Sequence, residues 1–258
     1  TFIDCCFQEN TCTAGAAAIH AVVGSVVTLI RCEVRGNTGT TAGGGTRGGL
    51  FISGNFGGTA HSSLIAHDTV FAQNTGPGGG ALYVAGTATL VNCLFTGNVA
   101  NGTAEFFDSG HGGAISNNGQ ITATNCTFVG NAATFSGGAI YTSRENPNTT
   151  LQSWVVIENS ILWGNTSGAD DEADQVHVVG NSTLTLEHSC VKGPLPPVAG
   201  TGSFSDDPLF LDELGPDGIP ATGDENLRLG LGSPCVDSGN NGALPLDTEI
   251  DLAGSPRF

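Results

Sequence analysis

The sequence predicts an all-β fold, a right-handed single-stranded parallel β-helix solenoid of about seven coils. Two recurring phrases and a period-two alternation of apolar residues predict it. The first phrase begins with Cys, Ser or Thr, continues through an apolar residue, and ends in asparagine. The asparagines that end it are Asn10, Asn37, Asn74, Asn98, Asn131 and Asn165. Their spacing varies from 24 to 37 residues, which favours constant strands joined by loops of variable length.

A second phrase follows most copies of the first and begins with two glycines. Its clear copies are Gly48-Gly49-Leu50-Phe51, Gly79-Gly80-Ala81-Leu82-Tyr83, Gly112-Gly113-Ala114-Ile115 and Gly137-Gly138-Ala139-Ile140-Tyr141. The glycines indicate a tight turn, and the apolar residues after them indicate a second short strand. A third strand rich in Thr and Val, such as 25–30, completes the coil. We therefore expect three strands in each coil.

The two faces of the first strand predict columns of like residues inside the solenoid. Alternate residues share a face, and neighbouring coils lie about 4.8 Å apart. The small column contains Cys5, Cys32, Thr69, Cys93, Cys126, Ser160 and Ser189, and the large one Phe7, Val34, Phe71, Phe95, Phe128, Leu162 and Val191. We expect the six asparagines to form a ladder at a corner. Their amides would bond along the ladder, and their tolerance of left-handed geometry would ease the bend.

Composition limits the class of protein. The chain has 258 residues, of which 40 are Gly and 12% are charged, as expected of one large folded unit. Its net charge of -17 would repel phosphate backbones and anionic membrane surfaces, so we expect no nucleic-acid partner. No apolar run is long enough for a direct membrane span. The initial Thr1 and the lack of Met favour removal of a leader or a longer precursor.

The eight cysteines fit an extracellular or cell-surface protein. Cys5 with Cys32, or Cys93 with Cys126, would lie close enough on adjacent coils for a disulfide, but stacked core thiols explain the column better. The pattern gives no place to Cys12, Cys190 and Cys235. Acceptor sequences for N-glycosylation occur at Asn101, Asn125, Asn148, Asn165 and Asn181.

The C-terminal part has a different chemistry. Of the 24 acidic residues, 16 lie between Asp170 and Asp251. We therefore divide the chain into a parallel β-helix of residues 1-200 and an irregular acidic cap of residues 201-258, packed on the last coils. The cap carries, in order, Asp206-Asp207-Pro208-Leu209-Phe210, Gly232-Ser233-Pro234-Cys235-Val236-Asp237-Ser238-Gly239 and Asp251-Leu252-Ala253-Gly254-Ser255-Pro256-Arg257.

Over residues 206-257 these phrases resemble the closing region of bacterial surface β-helix proteins of the choice-of-anchor type. The earlier repeats resemble parallel β-helix repeat proteins more broadly. The resemblance implies a secreted or surface-anchored bacterial protein, whose sorting signal would lie beyond Phe258. Cys235 departs from the small apolar residue that is usual in its phrase. Such a resemblance is specific for fold and says little about activity.

A loop between these phrases is rich in carboxylates, Gly and Pro. Its candidate calcium ligands are Asp212, Asp217, Asp224 and Glu225. Carboxylate oxygens are the ligands that Ca²⁺ prefers, although the spacing is not that of an EF-hand. The alternative is a solvated acidic loop. The acidic cluster of residues 170–174 is a weaker candidate, and no cofactor is required by the sequence.

Catalytic motifs are incomplete. The Gly-His-Gly at His111 resembles that of polygalacturonases, which use paired carboxylates across a glycosidic bond, but the acidic companions are missing. We expect His111 to be an exposed loop residue. A lyase would need a strongly basic side chain beside bound Ca²⁺. The basic candidates Arg31, Arg35, Arg47, Arg144 and Lys192 have no obvious acidic cluster nearby.

Two functions remain. The first is a non-catalytic extracellular or cell-surface module with a structural or adhesive role, whose partners are other copies or neighbouring surface proteins. The alternative is a carbohydrate-active enzyme or carbohydrate-binding domain, with a polysaccharide as partner. A stacking strip would need Tyr83, Tyr141, Trp154 and Trp163 to face outward, whereas we favour ordinary strand packing. The first coil would leave an open strand edge, which predicts upstream coils or end-to-end assembly.

Overall fold

The structure of the protein is a computed structural model that describes residues 1–40, 46–54, 60–103, 109–143, 152–168, 175–193, 200–244, 250–252 and 254. Its four main sheets are parallel, and the chain passes through them in the same order in successive coils. Helix in this described part is confined to one 3-10 turn, Asn241–Ala243. The prediction of an all-β parallel solenoid is confirmed. No described helix is long and apolar enough to cross a membrane.

The strands fall into four stacks, which we call the first to fourth sheets. The first sheet contains Phe2–Ile3, Val26–Ile30, Ser63–His67, Thr87–Val91, Gln120–Thr124, Trp154–Glu158 and Thr183–Glu187. The second contains Cys6–Gln8, Glu33–Arg35, Val70–Ala72, Leu94–Thr96, Thr127–Val129, Ile161–Trp163 and Cys190–Val191. The third contains Thr11–Cys12, Thr38–Gly39, Thr75–Gly76, Val99–Ala100, Ala132–Ala133 and Thr166–Ser167. The fourth contains Ile19–Ala21, Leu50–Ile52, Leu82–Val84, Ile115–Asn117, Ile140–Thr142 and Val176–Val178.

The third sheet was not expected, because the sequence indicated three strands in each coil. Each of its two-residue strands starts directly after a ladder asparagine. The asparagine side chain holds neighbouring coils in register, so the two residues that follow can also pair. A smaller parallel pair joins Gly15–Ala16 to Thr46–Arg47.

The interior of the solenoid is built from stacked like residues. The second sheet pairs Val34, Phe71, Phe95 and Phe128 in register from coil to coil. The rings of Phe71 and Phe95 stack with centroids 4.6 Å apart, and those of Phe95 and Phe128 with centroids 4.7 Å apart. All three phenylalanines are fully buried. Because each ring packs flat on the next, the register of the second sheet is fixed by side-chain shape as well as by backbone hydrogen bonds.

Two corners of the coil bend through a left-handed residue. At the corner between the first and second sheets these residues are Asp4, Arg31, Asp68, Asn92, Asn125, Asn159 and His188. At the corner before each ladder asparagine they are Glu9, Gly36, Gln73, Gly97, Gly130 and Gly164. The ladder asparagines themselves do not adopt positive φ, so the expectation that they do was wrong. The preceding residue makes the bend, which leaves the asparagine free to point inward.

The C-terminal segment, residues 205–244 and 250–252, follows the last coil. Phe204 forms a parallel bridge with Cys190 of that coil. The segment then runs back along the outer face of the second sheet as an antiparallel pair, Phe210–Asp212 with Asn226–Leu229. The segment covers outward apolar side chains of the last coils, which would otherwise be exposed to solvent. They are Val129, Trp163 and Cys190, which pack with Ile161, Phe204, Phe210, Leu227 and Cys235.

Candidate functional site

The six repeated asparagines form one continuous hydrogen-bonded ladder. Asn98 shows the pattern: its Oδ1 accepts from the backbone N–H of Asn74 at 3.0 Å and from the Asn74 Nδ2 at 2.9 Å. Its own Nδ2 donates to the Phe71 carbonyl at 2.8 Å and to the Asn131 Oδ1 at 2.9 Å. The Asn98 amide thus accepts two hydrogen bonds and donates two, and its side chain is fully buried. The ladder therefore satisfies polar groups that would otherwise be costly inside the solenoid.

The two ends of the ladder differ. At the C-terminal end, Asn165 donates to the Oε1 of Gln175 at 2.7 Å, and the Gln175 Nε2 returns a bond to the Asn165 carbonyl at 2.9 Å. Gln175 is buried and closes the ladder. At the other end, Asn10 is exposed, and its Nδ2 donates to the Asn37 Oδ1 at 2.8 Å. The ladder is thus terminated by a side chain at one end and by solvent at the other.

The cysteine column lies at the corner between the first and second sheets. Cys32, Cys93 and Cys126 are buried, and Cys5 packs against the same core. Their thiols donate to backbone carbonyls of their own corner: Cys93 to Val91 at 3.3 Å and Cys126 to Thr124 at 3.4 Å. In coils that carry hydroxyls, the hydroxyl donates in the same way, as Ser160 does to the Glu158 carbonyl at 2.8 Å, and it also accepts a backbone N–H, as Ser160 does from Cys126 at 3.0 Å. The column is a row of small corner-stabilising groups.

All eight cysteines are free thiols in this structure. Burial, together with contact with Cys126, holds the pKa of the Cys93 thiol well above its usual range. A thiol in that state is a poor nucleophile, because the thiolate is the reactive form. The small column accordingly presents inert core thiols. A disulfide between Cys5 and Cys32 in an oxidised protein stays a prediction.

Burial separates the five predicted glycosylation sites. Asn101 and Asn181 are exposed. Asn165 is fully buried, and its Nδ2 is already bonded to Phe128 and Gln175, so a glycan there is incompatible with the fold. The Nδ2 of Asn125 is also buried. Asn148 lies outside the described residues.

The four candidate calcium ligands lie in one loop, and each accepts a hydrogen bond from a residue two or three positions away in that loop. Asp212 accepts from the N–H of Gly215 at 3.0 Å, and Asp217 from that of Ile219 at 2.8 Å. Asp224 accepts from the Thr222 hydroxyl at 3.0 Å, and Glu225 from the Gly223 N–H at 2.9 Å. Among the described residues, no three His, Cys, Asp or Glu side chains converge to hold a metal. Calcium binding by this loop stays a prediction, and the cluster of residues 170–174 lies outside the described residues.

His111 does not lie on an exposed loop as expected. It is half-buried and bridges Ser136 of the next coil, and its ring stacks on Tyr141 with centroids 4.3 Å apart. The glycines around it serve the coil: Gly112 has a φ of +68°, and a Cβ there would lie 2.1 Å from the Ile115 carbonyl oxygen. The Gly-His-Gly phrase is therefore a structural element of the fourth-sheet corner.

Two of the basic side chains have acidic partners on the coils, which the sequence did not reveal. Arg31 forms a two-point ion pair with Asp4 of the preceding coil, at 2.8 and 2.9 Å. The hydrogen bond from Arg31 holds the pKa of Asp4 below its usual range, although both side chains are exposed. Arg35 pairs with Glu33 at 3.4 Å. These are surface pairs, which contribute little to stability on their own. Arg144 lies outside the described residues.

The outward positions of the fourth sheet carry an aromatic row that sequence reasoning missed. Its first three members, in register, are His20, Phe51 and Tyr83. His20 stacks on Phe51 at 4.5 Å, and the Arg47 guanidinium lies 3.9 Å from the centroid of Tyr83. Burial, with a smaller effect of Arg47, lowers the pKa of His20, so the ring is neutral at pH 7. The signal was present in the sequence as the residue that follows Ala-Ile, Gly-Leu or Ala-Leu in the second phrase.

The four aromatics considered for a stacking strip do not form one. Tyr83 and Tyr141 belong to the fourth sheet but are buried. Trp154 lies on the first sheet, and Trp163 on the second, where it is buried beneath the C-terminal segment. The four side chains thus occupy three different faces. Ordinary strand packing describes Tyr83, Tyr141 and Trp163.

A cleft of about 1130 Å³ lies between the second sheet and the C-terminal segment. Its sheet side includes Glu33, Arg35 and Asn125, and its other wall includes Glu225 and Cys235. The segment is held along this cleft by a pair of bonds between Asn159 and Asn240, at 2.7 and 2.9 Å. Most of the cleft's charged groups are acidic.

A model of the Chlamydia polymorphic membrane protein repeat matches residues 125–143. The matched residues contain the first phrase that ends at Asn131 and the second phrase that contains Ile140. This repeat is of a β-helix type, in agreement with the parallel solenoid. The match agrees with a parallel β-helix repeat fold. No curated protein and no solved structure shows a significant match to the chain.

Proposed function

We propose that the chain is a non-catalytic module displayed on a bacterial cell surface, with a structural or adhesive role, which pairs end to end with a second copy. The match of residues 125–143 to a membrane-protein repeat carries this proposal. The matched residues contain one copy of each repeated phrase, including the ladder asparagine Asn131. The proposal includes seven right-handed coils over residues 1-200 and an acidic cap over residues 201-258. The seven strands in each of the first and second sheets support the coil count.

Exposed apolar residues on the edge strand of the first sheet support pairing through the first coil. Phe2 and Ile3 are 38% and 50% exposed, although they lie on the edge strand of the first sheet. The other end is occupied: Gly200 donates to the Leu186 carbonyl at 2.6 Å, and Val191 donates to the Phe204 carbonyl at 2.9 Å. An exposed apolar edge strand is a surface on which a second copy can pair.

Sedimentation velocity across a concentration series tests this pairing. We expect the 258-residue chain to dimerise, and Ile3→Lys to shift it to monomer, because a buried ammonium at the paired edge is costly. The matched control is Leu231→Lys, since Leu231 is fully exposed on the C-terminal segment. A wild-type chain that stays monomeric at every concentration contradicts the pairing. A dimer that both variants leave intact places the interface elsewhere.

The surface location has its own test. Cell fractionation and protease shaving of intact producing cells should release peptides of the solenoid before peptides of a cytoplasmic marker. Recovery of the chain with the cytoplasmic marker would contradict surface display and leave the pairing result unaffected. The structural role predicts that deletion of the chain changes envelope integrity or adherence without changing the polysaccharide products of the culture.

The alternative is a carbohydrate-active enzyme or carbohydrate-binding domain, and the cleft beside the second sheet is the observation that favours it. Glu33 and Glu225 line opposite walls of this cleft together with Arg35. Paired carboxylates across a cleft are what glycosidic hydrolysis requires. Incubation with neutral and uronate polysaccharides, followed by a reducing-end assay, tests the activity. Loss of any activity in Glu225→Gln, with Glu213→Gln as control, would support the enzyme.

A further inference from the structure

We propose that Cys190 and Cys235 form a redox-controlled disulfide that fastens the C-terminal segment to the last coil of the solenoid. The two thiols come from parts of the chain that sequence patterns did not connect. Cys190 lies in register with Ile161 on the outward side of the second sheet, so it points away from the inert thiol column. Cys235 lies on the segment that covers this side.

The surroundings of the pair are those of a preformed dithiol. Cys190 is buried in a small apolar cluster with Val129 and Trp163, against which Cys235 packs. Cys235 packs against the cluster that contains Cys190, and the proximity of the two thiols is the main influence on the pKa of both. The Cys190 thiol also donates to the Asp206 carbonyl at 3.1 Å. Both side chains line the cleft, so a small reagent can reach them from one side.

The roles of the two sulfurs differ. Proximity to Cys190 lowers the pKa of Cys235, whereas proximity to Cys235 and burial raise the pKa of Cys190. Cys235 is the more exposed of the two. It is therefore the attacking thiolate, since nucleophilicity requires the thiolate and access. Cys190 is the resolving thiol.

The reaction is thiol–disulfide exchange with an external disulfide, such as oxidised glutathione. The Cys235 thiolate attacks one sulfur of that disulfide, a mixed disulfide forms, and one external thiol leaves. Cys235 then no longer carries the charge that raised the pKa of Cys190. Cys190 gives its proton to the released thiolate, attacks Cys235, and expels the second external thiol. Two protein thiols are oxidised, and one external disulfide is reduced to two thiols.

The consequence is control over the cover of the second sheet. In the reduced protein the segment is held by apolar packing and by polar contacts such as the Asn159 to Asn240 pair. The disulfide would add a covalent link between the last coil and the later part of the segment, around Cys235. Oxidation should then protect the segment from proteolysis and reduction should expose it.

Peptide mapping tests the proposal on the full chain. After equilibration with reduced and oxidised glutathione and trapping with an alkylating reagent, we expect a cross-linked peptide that contains Cys190 and Cys235. Cys93 and Cys126 are the internal control, because their buried column should stay reduced. Recovery of both Cys190 and Cys235 as free alkylated thiols, while exposed Cys6 is oxidised, would overturn the proposal. A cross-link from Cys235 to any other cysteine would also overturn it.

A second measurement separates the link from a general effect on folding. Limited proteolysis should cleave the C-terminal segment at least about tenfold more slowly in the oxidised chain, because the link suppresses local opening. Cys235→Ser and Cys190→Ser should each remove this difference while keeping the circular dichroism of the reduced protein. Cys12→Ser is the matched control, and it should keep the difference. Equal cleavage of the oxidised and reduced wild-type chain would contradict the proposed control.

Discussion

Replacement of Asn98 by alanine should be among the most damaging single changes on the solenoid. The Asn98 side chain is fully buried and makes four hydrogen bonds within the ladder. Truncation leaves the backbone N–H of Asn74 without the Oδ1 that it donates to, and the Phe71 carbonyl without its amide donor. The Asn74 amide keeps its bond to Val34 at 2.8 Å. The damage is thus concentrated on two buried groups and a small cavity.

The magnitude follows from these groups. A buried donor or acceptor left without a partner costs about 1–3 kcal/mol. Two such groups and a cavity of amide size give a loss of about 3–5 kcal/mol in the free energy of unfolding. The matched control is Asn10→Ala at the solvent-exposed end of the ladder. It removes one bond, from Nδ2 to the Asn37 Oδ1, and should cost about 1 kcal/mol.

Guanidinium chloride titration, followed by the fluorescence of Trp154 and Trp163, measures both losses. A third variant, Asn98→Leu, restores volume without restoring hydrogen bonds, so it should recover only the cavity part of the loss and stay well below the wild type in stability. If Asn98→Leu recovers most of the stability, volume rather than hydrogen bonding holds this position. If Asn98→Ala costs no more than Asn10→Ala, the reasoning about buried amides is refuted.

Three further changes test other features of the solenoid. Phe95→Ala should lower the free energy of unfolding by about 3–5 kcal/mol and Phe95→Leu by about 1 kcal/mol in the same titration, because Phe95 is stacked on both sides. Gly130→Ala should cost about 1–2 kcal/mol and speed proteolysis of the C-terminal segment, since its φ is +62° and its Cβ would lie 2.5 Å from that of Ala221. Gly180→Ala, with a φ of +67° and open space, should show only the backbone cost. Asp4→Asn should destabilise the chain at pH 7 but not in acid. Because the pKa of Asp4 is lowered in the folded chain, its ionised form adds stability above the unfolded pKa, and this stability is lost as the pH falls through the folded pKa. Urea titrations at several pH values measure the difference.

The interior of the solenoid could be predicted because one physical rule governs it. Strand side chains alternate faces, and parallel coils stack like residues, so a repeat in sequence becomes a column in space. Phe71, Phe95 and Phe128 occupy such a column with no offset in register. The ladder asparagines follow the same rule. The rule did not predict the backbone conformation at this corner. Gly97 and Gly130, and not Asn98 and Asn131, adopt the left-handed conformation that makes the bend.

The outer surface could not be predicted in the same way, because outward positions have no repeated neighbour to satisfy. In the second sheet the residues in register on this side are Glu33, Val70, Leu94, Thr127, Ile161 and Cys190. Their chemistry changes from coil to coil, so no period marks where a segment will pack. The path of the C-terminal segment depends on these residues and on the bare corner at Gly130, over which Ala221 lies. The contact between Cys190 and Cys235 was hidden for the same reason.

The acidic loop shows why composition alone could not decide a binding site. A carboxylate on a Gly-rich loop can coordinate a cation or accept from a nearby backbone N–H, and both uses need the same residue types. Here Asp212 and Asp217 each accept from an N–H two or three residues later. Such local bonds stabilise the turns without a metal. Calcium would have to compete with them, so a rise in melting temperature on adding Ca²⁺ would show that coordination is the stronger use.

The change of chemistry along the second sheet also bears on where a partner can bind. The outward residues of the last coils are apolar and already covered by the C-terminal segment. Those of the first coils include Glu33 and Arg35, which form a partly exposed ion pair. Because the apolar outward residues of the last coils are already covered, a partner that binds the described outer face of the second sheet meets polar groups such as Glu33 and Arg35.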